Sequence, residues 1–486
     1  MNNKLSVIMG CLLLLFVISC QEKKKEKEQE ASLDGIWESI GYGRLAHIKK
    51  DHITLYETSA ISCYPIMEEE ITGLGDELRI KDDTLELKDG INIYQFVRRD
   101  EFPQQCVAMD ETKKQDALYN FEVLASIFKE HYAYFEMRNI KWDSLYTQTK
   151  SKITTQTSAP ELFMIMEEML DQFNDGHIDI EAPEEIEDQA DSLREPSQPV
   201  DTSITRYSDF SAAKLVGDYY LKDKELTRNS RVMRWGKLND SLGYLQINLM
   251  MGHVYFPKLD SVQGEDYWNA YFEAFEEMSS AAHTKKEVAG INKTLDQVFS
   301  DLNTADALVL DVRFNGGGKD EVALSIMKRF NQKRQHVFTK KAKHKQAYTK
   351  PNKIYLEAAE QAYLKPVYLL TSGQSASATE IMVLSSLNLP HVTRIGTNTE
   401  GIFSDVLDKI LPNGWEIGLS NEVYLDTKEN NYEGKGIPPH IDLKYPRETQ
   451  AFFKSIIDAM SDDEIKINKA ITDVREGKVS KHVVGR

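Results

Sequence analysis

The sequence lacks an excess of basic residues, internal repeats and the ligand spacings of metal sites. Its formal net charge is −18, which argues against broad nucleic-acid binding, and we predict no nucleic-acid partner. Neither an HExxH motif nor paired cysteines occur, so we expect no metal and no cofactor. With 486 residues of ordinary globular composition, the chain is long enough for about three folding units.

The apolar run at the N-terminus is too short to span a bilayer in the mature protein. Lys4 precedes the apolar residues 8–18, and the small residue Ser19 stands directly before Cys20. Together with the charged residues that follow, this arrangement resembles a bacterial lipoprotein signal. We predict a signal peptide over residues 1–19, lipidation of Cys20 and export to the cell envelope, with the lipid as membrane anchor. A plain secretory signal is the alternative.

Cysteine is scarce, with four residues in the whole chain. Cys11 would be removed with the signal and Cys20 would carry lipid, which leaves Cys63 and Cys106. Export places the chain in an oxidising compartment, where these two cysteines could form one disulfide within the first domain. Their pairing depends on geometry that the sequence does not give.

The pattern of apolar residues predicts a multidomain α/β protein. Acidic residues 184–194, flanked by proline, indicate an exposed loop. The predicted segments are a charged tether over residues 20–32, a small β-domain over 33–110, a helical bundle over 111–177, an α/β core over 178–445 with an insertion near 265–300, and a C-terminal helix and tail over 446–486. The β-domain carries no motif with evident chemistry, so a spacer or substrate-presenting module is its default role.

A strand, a tight turn and a helix are predicted around Ser377. The apolar residues 367–370 lead into a loop of small residues, and a helical pattern follows. A serine at such a turn meets unpaired helix amides that favour negative charge, which suits a nucleophilic hydroxyl. The alternative is that Ser375, Ser377 and Thr379 merely cap the helix.

Three consecutive glycines, residues 316–318, follow a second buried strand over residues 307–312. A phosphate-binding loop would need a Ser or Thr after Lys319 and a different spacing, so that interpretation fails. Glycines do allow bare backbone amides to approach a ligand closely. This property is what an oxyanion hole requires.

Four ordered motifs resemble those of peptidase family S41, which includes the C-terminal processing proteases, the tricorn protease core and the nisin-resistance proteases. They are Asp-Val-Arg-Phe-Asn-Gly-Gly-Gly at 311–318, Ser-Ala-Ser-Ala-Thr-Glu at 375–380, Gly-x-x-Thr-x-Gly at 396–401 and Glu-Gly-Lys-Gly-Ile-x-Pro at 433–439. The helical block that ends in Asp-Gly-His at 175–177 matches as well. The resemblance covers about residues 113–445 and implies an S41-type α/β core with a mixed sheet.

The resemblance implies Ser377 as the nucleophile, with oxyanion amides from Ala378 and from Gly318 or, failing that, Gly317. Relatives of the processing branch have a basic lysine where this chain has Ile402, and an isoleucine cannot accept a proton. The histidine branch therefore matches better, with His177 as general base.

Other parts of the expected site are less well defined. Glu433 is nominated as the residue that orients the imidazole, although it could equally be a turn carboxylate. His253 and His440 are weaker candidates for the base. Thr397 and His440 stand where relatives often have Glu and Asp. No PDZ module is evident between His177 and Asp306, so recognition of a free C-terminus is not expected.

The resemblance implies a serine endopeptidase that acts on a peptide or unfolded protein. One alternative is a non-catalytic carrier on the same fold, as in the retinoid carriers that resemble this family. Another is a glycan- or nutrient-binding lipoprotein whose ligand site lies in residues 33–110. The sequence leaves the oligomeric state open.

Overall fold

The computed structural model describes residues 32–71, 77–81, 83–106, 111–194, 205–275, 278 and 280–479. The predicted signal peptide, the predicted lipidation site Cys20 and the tether up to residue 31 lie outside these ranges. None of the helices in the described ranges is both long enough and apolar enough to cross a membrane.

A seven-stranded antiparallel sheet forms the N-terminal part of the structure and confirms the predicted small β-domain. Trp37, Ala46 and Leu85 are buried in its core, as expected where alternate residues of a strand face one side. The strands occur in the spatial order β4-β3-β2-β1-β7-β6-β5. Their bounds are β1 Gly35–Ser39, β2 Arg44–Lys49, β3 His52–Thr58, β4 Cys63–Glu70, β5 Leu78–Lys81, β6 Thr84–Asp89 and β7 Asn92–Arg99.

The possible disulfide is present in the structure. Cys63, at the start of β4, is bonded to Cys106 in the segment that leads toward the helices. The bond therefore ties the segment that follows β7 back to β4 of the β-domain.

The predicted helical block contains four helices and a buried aromatic core. Phe121, Phe128, Tyr132 and Phe173 are fully buried there. The same cluster includes Trp415 and other apolar residues from the C-terminal part of the α/β core. The helices therefore pack directly against the core. The helices are α1 Glu111–Lys114, α2 Ala117–His131, α3 Trp142–Lys150 and α4 Ala159–Asp171.

The prediction of an exposed loop over residues 184–194 is wrong. After the short strand β8 (Asp179–Glu181), the chain forms helix α5 (Glu184–Leu193). Its first turn holds Glu184, Glu185 and Glu187. The positive end of the helix dipole stabilises their negative charges. Ala190 is buried against the neighbouring helix α4. The acidic character that indicated a loop is therefore the solvent-facing side of a helix.

A six-stranded mixed sheet lies at the centre of the α/β core and confirms the predicted fold class. Its order is β20-β16-β15-β11-β10-β9, and all neighbours are parallel except β9 and β10. The strands are β9 Met233–Asn239, β10 Leu242–Ile247, β11 Ala307–Asp311, β15 Val367–Thr371, β16 Val392–Gly396 and β20 Ile441–Asp442.

Helices cover both faces of this sheet, as parallel strands require. One face packs against α6 (Asp209–Leu221), α11 (Thr449–Ile457) and α12 (Met460–Arg475). The other packs against α8 (Ser280–Asp301), α9 (Asp320–Lys328) and α10 (Ala378–Ser386). Helix α7 (Gly264–Glu273) and α8 occupy the predicted insertion.

Two smaller sheets complete the core. One is formed by β12 Gln335–His344, β13 Ala347–Tyr348, β14 Asn352–Leu356 and β19 Glu422–Asp426, and the other by β17 Lys409–Ile410, β18 Glu416–Gly418 and β8.

Buried polar contacts join the β-domain to the core. The Lys409 ammonium, which is fully buried, lies 2.6 Å from a carboxylate oxygen of Glu57 and donates to the Gly43 carbonyl oxygen at 2.7 Å. The Tyr42 hydroxyl donates to Glu422 at 2.7 Å. An ammonium so deeply buried needs its carboxylate partner, so this contact fixes the β-domain against the core.

Candidate active site

Ser377 lies at the turn between β15 and α10, where the strand, turn and helix were predicted. Its backbone has φ 51° and ψ −127°, a conformation that residues other than glycine rarely adopt. The Ser377 N–H donates to the Ile402 carbonyl oxygen at 3.1 Å, and its own carbonyl oxygen accepts from Glu380 at 2.7 Å. These bonds hold the strained residue in place.

The Ser377 side chain does not cap the helix that it precedes. The neighbouring hydroxyls are engaged elsewhere, because Ser375 donates to the Val312 carbonyl oxygen at 2.8 Å and Thr379 donates to Asn315 at 2.7 Å. Within the described ranges no hydrogen bond occupies the Ser377 hydroxyl. Of the three hydroxyls that could have been caps, the half-buried Ser377 is the one left available for chemistry.

The glycine loop packs directly against Ser377. A Cβ atom at Gly317 would lie 2.6 Å from the Ser377 Cβ, and Gly317 has φ 117°, so a larger residue would be both strained and crowded. The Gly317 N–H donates to the Asn315 side chain at 2.9 Å, and Asn315 in turn donates to the Ile247 carbonyl oxygen at 3.0 Å. Asn315 therefore holds the loop in shape.

Two backbone amides beside Ser377 are free to bind an anion. Among the described residues no acceptor pairs with the N–H of Gly318 or with that of Ala378, the first residue of α10. The Gly317 amide is already used by Asn315. The arrangement therefore favours Gly318 over Gly317 as the partner of Ala378 in the predicted oxyanion hole.

Hydrogen bonds to Met250 on both sides of Gly318 fix that residue. The Met250 N–H donates to the Gly317 carbonyl oxygen at 2.6 Å, and the Lys319 N–H donates to the Met250 carbonyl oxygen at 3.0 Å. A Cβ at Gly318 would lie 2.7 Å from the Met250 backbone. The amide of Gly318 is thus oriented before any ligand arrives.

His177 lies at the turn between α4 and β8, and Asp175 shapes that turn. One Asp175 oxygen accepts from the His177 N–H at 3.2 Å and from the Ser420 hydroxyl at 3.1 Å. The other accepts from the Tyr132 hydroxyl at 2.9 Å. Burial lowers the pKa of the His177 imidazole, and the Asp175 and Asp405 carboxylates oppose this shift. A neutral imidazole near pH 7 can accept a proton.

The serine turn and the histidine turn both pack on the segment of residues 401–405. The Ile402 carbonyl oxygen accepts from the Ser377 N–H, and a Cβ at Gly176 would lie 2.6 Å from the Ile402 side chain. The His177 ring lies beside the Ser404 backbone. This segment therefore connects the two turns, and Ile402 makes an apolar contact at the position where relatives have a lysine.

Glu433 is buried, and it contacts the backbone of the segment of residues 401–405. Its carboxylate accepts from the Phe403 N–H at 2.8 Å and lies 3.2 Å from the Arg138 guanidinium, which is also 3.7 Å from Asp175. Burial raises the pKa of Glu433 to about 7. In the described ranges, Nδ1 of His177 has no hydrogen-bond partner. The imidazole-orienting role of Glu433 stays a prediction, and its contacts here position residues 403 and 404.

The two weaker histidine candidates, His440 and His253, make hydrogen bonds within the scaffold of the fold. Nδ1 of His440 accepts from the Arg394 N–H at 2.9 Å. His253 is buried, and its backbone N–H donates to the Glu287 carboxylate at 2.8 Å. Thr397 donates its N–H to the Thr371 carbonyl oxygen at 3.1 Å. These contacts account for the three residues as parts of the scaffold.

Glu380 is a buried residue near the site whose role the sequence interpretation missed. Its carboxylate accepts from the N–H groups of Gly401 at 2.9 Å and Ile402 at 2.5 Å, and burial raises its pKa to about 8. It thereby links the serine helix to the segment of residues 401–405. A glutamate within an otherwise apolar helical pattern was the available signal, because a buried carboxylate needs specific donors.

The described residues contain no group of three or more His, Cys, Asp or Glu side chains that could hold a metal ion.

The chain is similar to known peptidases over a limited part of its length. Residues 113–171 match the tricorn protease C1 domain. A carboxy-terminal-processing protease of Bartonella bacilliformis is 28% identical over 167 residues, which is 34% of this chain and 37% of that protein. The match thus spans little more than a third of that relative.

Solved structures show partial resemblance. A protein of Parabacteroides merdae, provisionally named a peptidase, is 25% identical with a TM-score of 0.49 over 68% of this chain and 89% of its own. The photosystem II D1 C-terminal processing protease is 12% identical with a TM-score of 0.39 over 71% and 97%. Scores of this size add nothing to an assignment.

The assignment rests on the core of the chain. Residues 242–443, which include the Gly316–Gly318 loop, Ser377 and Glu433, match the model of peptidase family S41. The tricorn-type match lies directly N-terminal to the Asp-Gly-His turn, within the helical block that the resemblance also included. Residues 242–443, the core of the chain, are therefore assigned to peptidase family S41.

Proposed function

We propose that this protein is a serine endopeptidase of the bacterial cell envelope. It hydrolyses peptide bonds in peptides or unfolded proteins and is held at a membrane by lipid on Cys20. The observation that carries the proposal is the state of Ser377, whose strained backbone presents an unoccupied hydroxyl beside two free amides. Backbone strain of this kind costs about 1–3 kcal/mol and persists where function requires the geometry.

In the proposed reaction, the Ser377 Oγ attacks the carbonyl carbon of the substrate and passes its proton to the neutral imidazole of His177. A C–O bond forms, and the carbonyl oxygen becomes an oxyanion. The N–H groups of Gly318 and Ala378 stabilise that charge, and they need little reorganisation because both backbones are already fixed.

The intermediate then collapses. The C–N bond breaks as the leaving amine takes the proton from His177, which leaves an acyl group on Ser377. A water molecule gives a proton to His177 and attacks the acyl carbon, and the second intermediate releases the acid and restores the Ser377 hydroxyl. Family membership supports the peptidase class, and the contacts around Ser377 support the serine type.

A covalent fluorophosphonate probe tests whether the hydroxyl is activated. We expect the purified protein to be labelled at Ser377, as located by peptide mass spectrometry, and the Ser377→Ala variant to remain unlabelled. Ser192→Ala, which alters an exposed serine on α5, is the matched control and should label like wild type. An unlabelled wild-type protein at high probe concentration would contradict the proposal and support a non-catalytic carrier on the same fold.

The membrane anchor is tested through Cys20. In bacterial cells fed an alkyne-tagged fatty acid, we expect the full chain to take up the tag and to sediment with membranes, because the lipidated cysteine becomes the first residue after cleavage. The Cys20→Ser variant should lose the tag, whereas Cys11→Ser should keep it. Tag retention in Cys20→Ser would refute the anchor without affecting the peptidase proposal.

A further inference from the structure

A cavity of about 250 Å³ opens beside the proposed nucleophile. Ser377 and Gly318 both line it, so the reacting carbonyl of a substrate would lie at its edge. Ligand sites for whole small molecules are usually larger, about 300–1,000 Å³. The cavity therefore has the size for one long side chain of a bound peptide.

The β-domain supplies one wall of this cavity. The turn between β6 and β7 contributes Asp89, Ile91 and Asn92 to the lining. Two hydrogen bonds fix the turn against the core, because the Ile91 N–H donates to Glu321 at 2.7 Å and the Asn92 amide donates to Asp405 at 3.0 Å. The β-domain thus takes part in the site and is more than a spacer.

The lining of the cavity is strongly acidic. It contains one ammonium group, from Lys319, and five carboxyl groups: Asp89, Asp320, Glu321, Asp405 and Asp408. Like charges in so small a space repel one another, and the low dielectric of a partly closed cavity strengthens the repulsion. An arrangement of this kind is stabilised by a cationic ligand.

Four of these carboxyl groups have a cationic neighbour in the protein. Asp405 lies 4.0 Å from the Lys340 ammonium, and the positive charges of Arg44 and Lys319 act on Asp408 and Asp89, respectively. The Lys340 charge also acts on Asp320. Lys340 is itself paired with Glu422 at 2.6 Å, so these cations offset the negative charge of the cavity only in part.

Asp320 and Glu321 have no ion pair within the described ranges. Glu321 accepts a hydrogen bond from the Ile91 amide, and Asp320 has no hydrogen-bond partner there. Burial raises the pKa of both carboxyl groups, and the negative charge of Asp405 raises each further. A partly buried carboxyl without a hydrogen-bond donor, such as that of Asp320, is unfavourable in the free protein.

We propose that this cavity is a specificity site that binds the guanidinium or ammonium group of an Arg or Lys side chain next to the scissile bond, with Asp320 and Glu321 as its counter-ions. The inference rests on the proposed peptidase function, because it uses Ser377 to define where the scissile bond lies. A single peptide residue can present its carbonyl to Ser377 and its charged side chain to α9, since both line the same cavity. Two adjacent carboxylates suit the forked donors of a guanidinium.

The test compares peptides that differ only in charge. N-acetylated, internally quenched peptides carry either arginine or its neutral isostere citrulline at the position next to the cleaved bond. We expect kcat/KM to be at least about tenfold higher for arginine, because a charge-assisted hydrogen bond is stronger than a neutral one. Asp320→Asn with Glu321→Gln should bring this ratio close to one, whereas Asp188→Asn, at an exposed site on α5, should leave it unchanged.

A binding experiment separates this inference from the peptidase proposal. The same two peptides, fluorescently labelled, are titrated into the Ser377→Ala protein and followed by anisotropy, so that turnover plays no part. Tighter binding of the arginine peptide, lost when Asp320 and Glu321 are replaced, supports the site. Equal affinities for the two peptides would overturn it, as would an arginine preference that persists in the double variant.

Discussion

Ser377→Ala is expected to lower kcat/KM for a cleaved peptide by about 10⁴-fold or more, the scale seen when the nucleophile of a serine peptidase is removed. The substitution deletes the oxygen that is proposed to form the acyl intermediate and leaves the two proposed oxyanion amides in place. Because alanine removes no hydrogen bond that the Ser377 side chain makes in the described ranges, the fold should be retained. Peptide cleavage and the thermal unfolding midpoint are to be measured on the same preparation.

His177→Ala provides the internal check on this result. If Ser377 and His177 act as one unit, the double variant should be no slower than the slower single variant. Independent contributions would multiply the two losses instead. A Ser377→Ala protein that cleaves as fast as wild type would refute the assignment of the nucleophile outright.

Arg313→Leu is expected to lower the free energy of unfolding by about 3–5 kcal/mol, the usual cost of breaking a buried ion pair from one side. The Arg313 guanidinium is fully buried and donates to both oxygens of Asp311, at 2.9 and 2.7 Å, and to Asp463 at 2.8 Å. Leucine would leave two buried carboxyl groups facing each other. Asp463 lies on α12, so the cluster joins the last helix to the strand that leads into the glycine loop.

The matched control is Arg334→Leu. Arg334 pairs with Glu357 at 2.8 Å, but both side chains are more than half exposed, so its loss should change the free energy of unfolding by less than about 1 kcal/mol. Denaturation by urea, followed by circular dichroism, measures both variants. Similar shifts for Arg313→Leu and Arg334→Leu would show that burial does not strengthen the Arg313 cluster.

Local patterns in the sequence predicted the local structure well. The strand, turn and helix around Ser377 follow from an apolar run, small residues and helical spacing, all within a few residues of one another. The glycine loop was recognisable for the same reason, because the positive φ angles at Gly317 and Gly318 favour glycine wherever the loop lies. The catalytic roles of Ser377 and His177 stay predictions that the proposed experiments test.

Features that depend on distant parts of the chain were not predictable in this way. Nothing near Glu433 in the sequence indicates that it binds the Phe403 amide, and nothing in the β6–β7 turn indicates that Asn92 reaches Asp405. Such contacts depend on how distant elements pack together, and local sequence patterns do not indicate that packing. Helix α5 was missed for a different reason, since its acidic residues suit both a loop and the exposed side of a helix.

The buried contact between Lys409 and Glu57 bears on how this protein can be dissected. Burial lowers the pKa of Lys409 to about 8 even with the Glu57 carboxylate beside it. A shortened chain that begins at the helices would keep the lysine and lose the glutamate, so the ammonium would have to give up its proton or draw water into the core. The smallest piece of this protein that keeps Lys409 paired therefore includes the β-domain, and exchange of that domain between relatives would have to carry both members of the pair together.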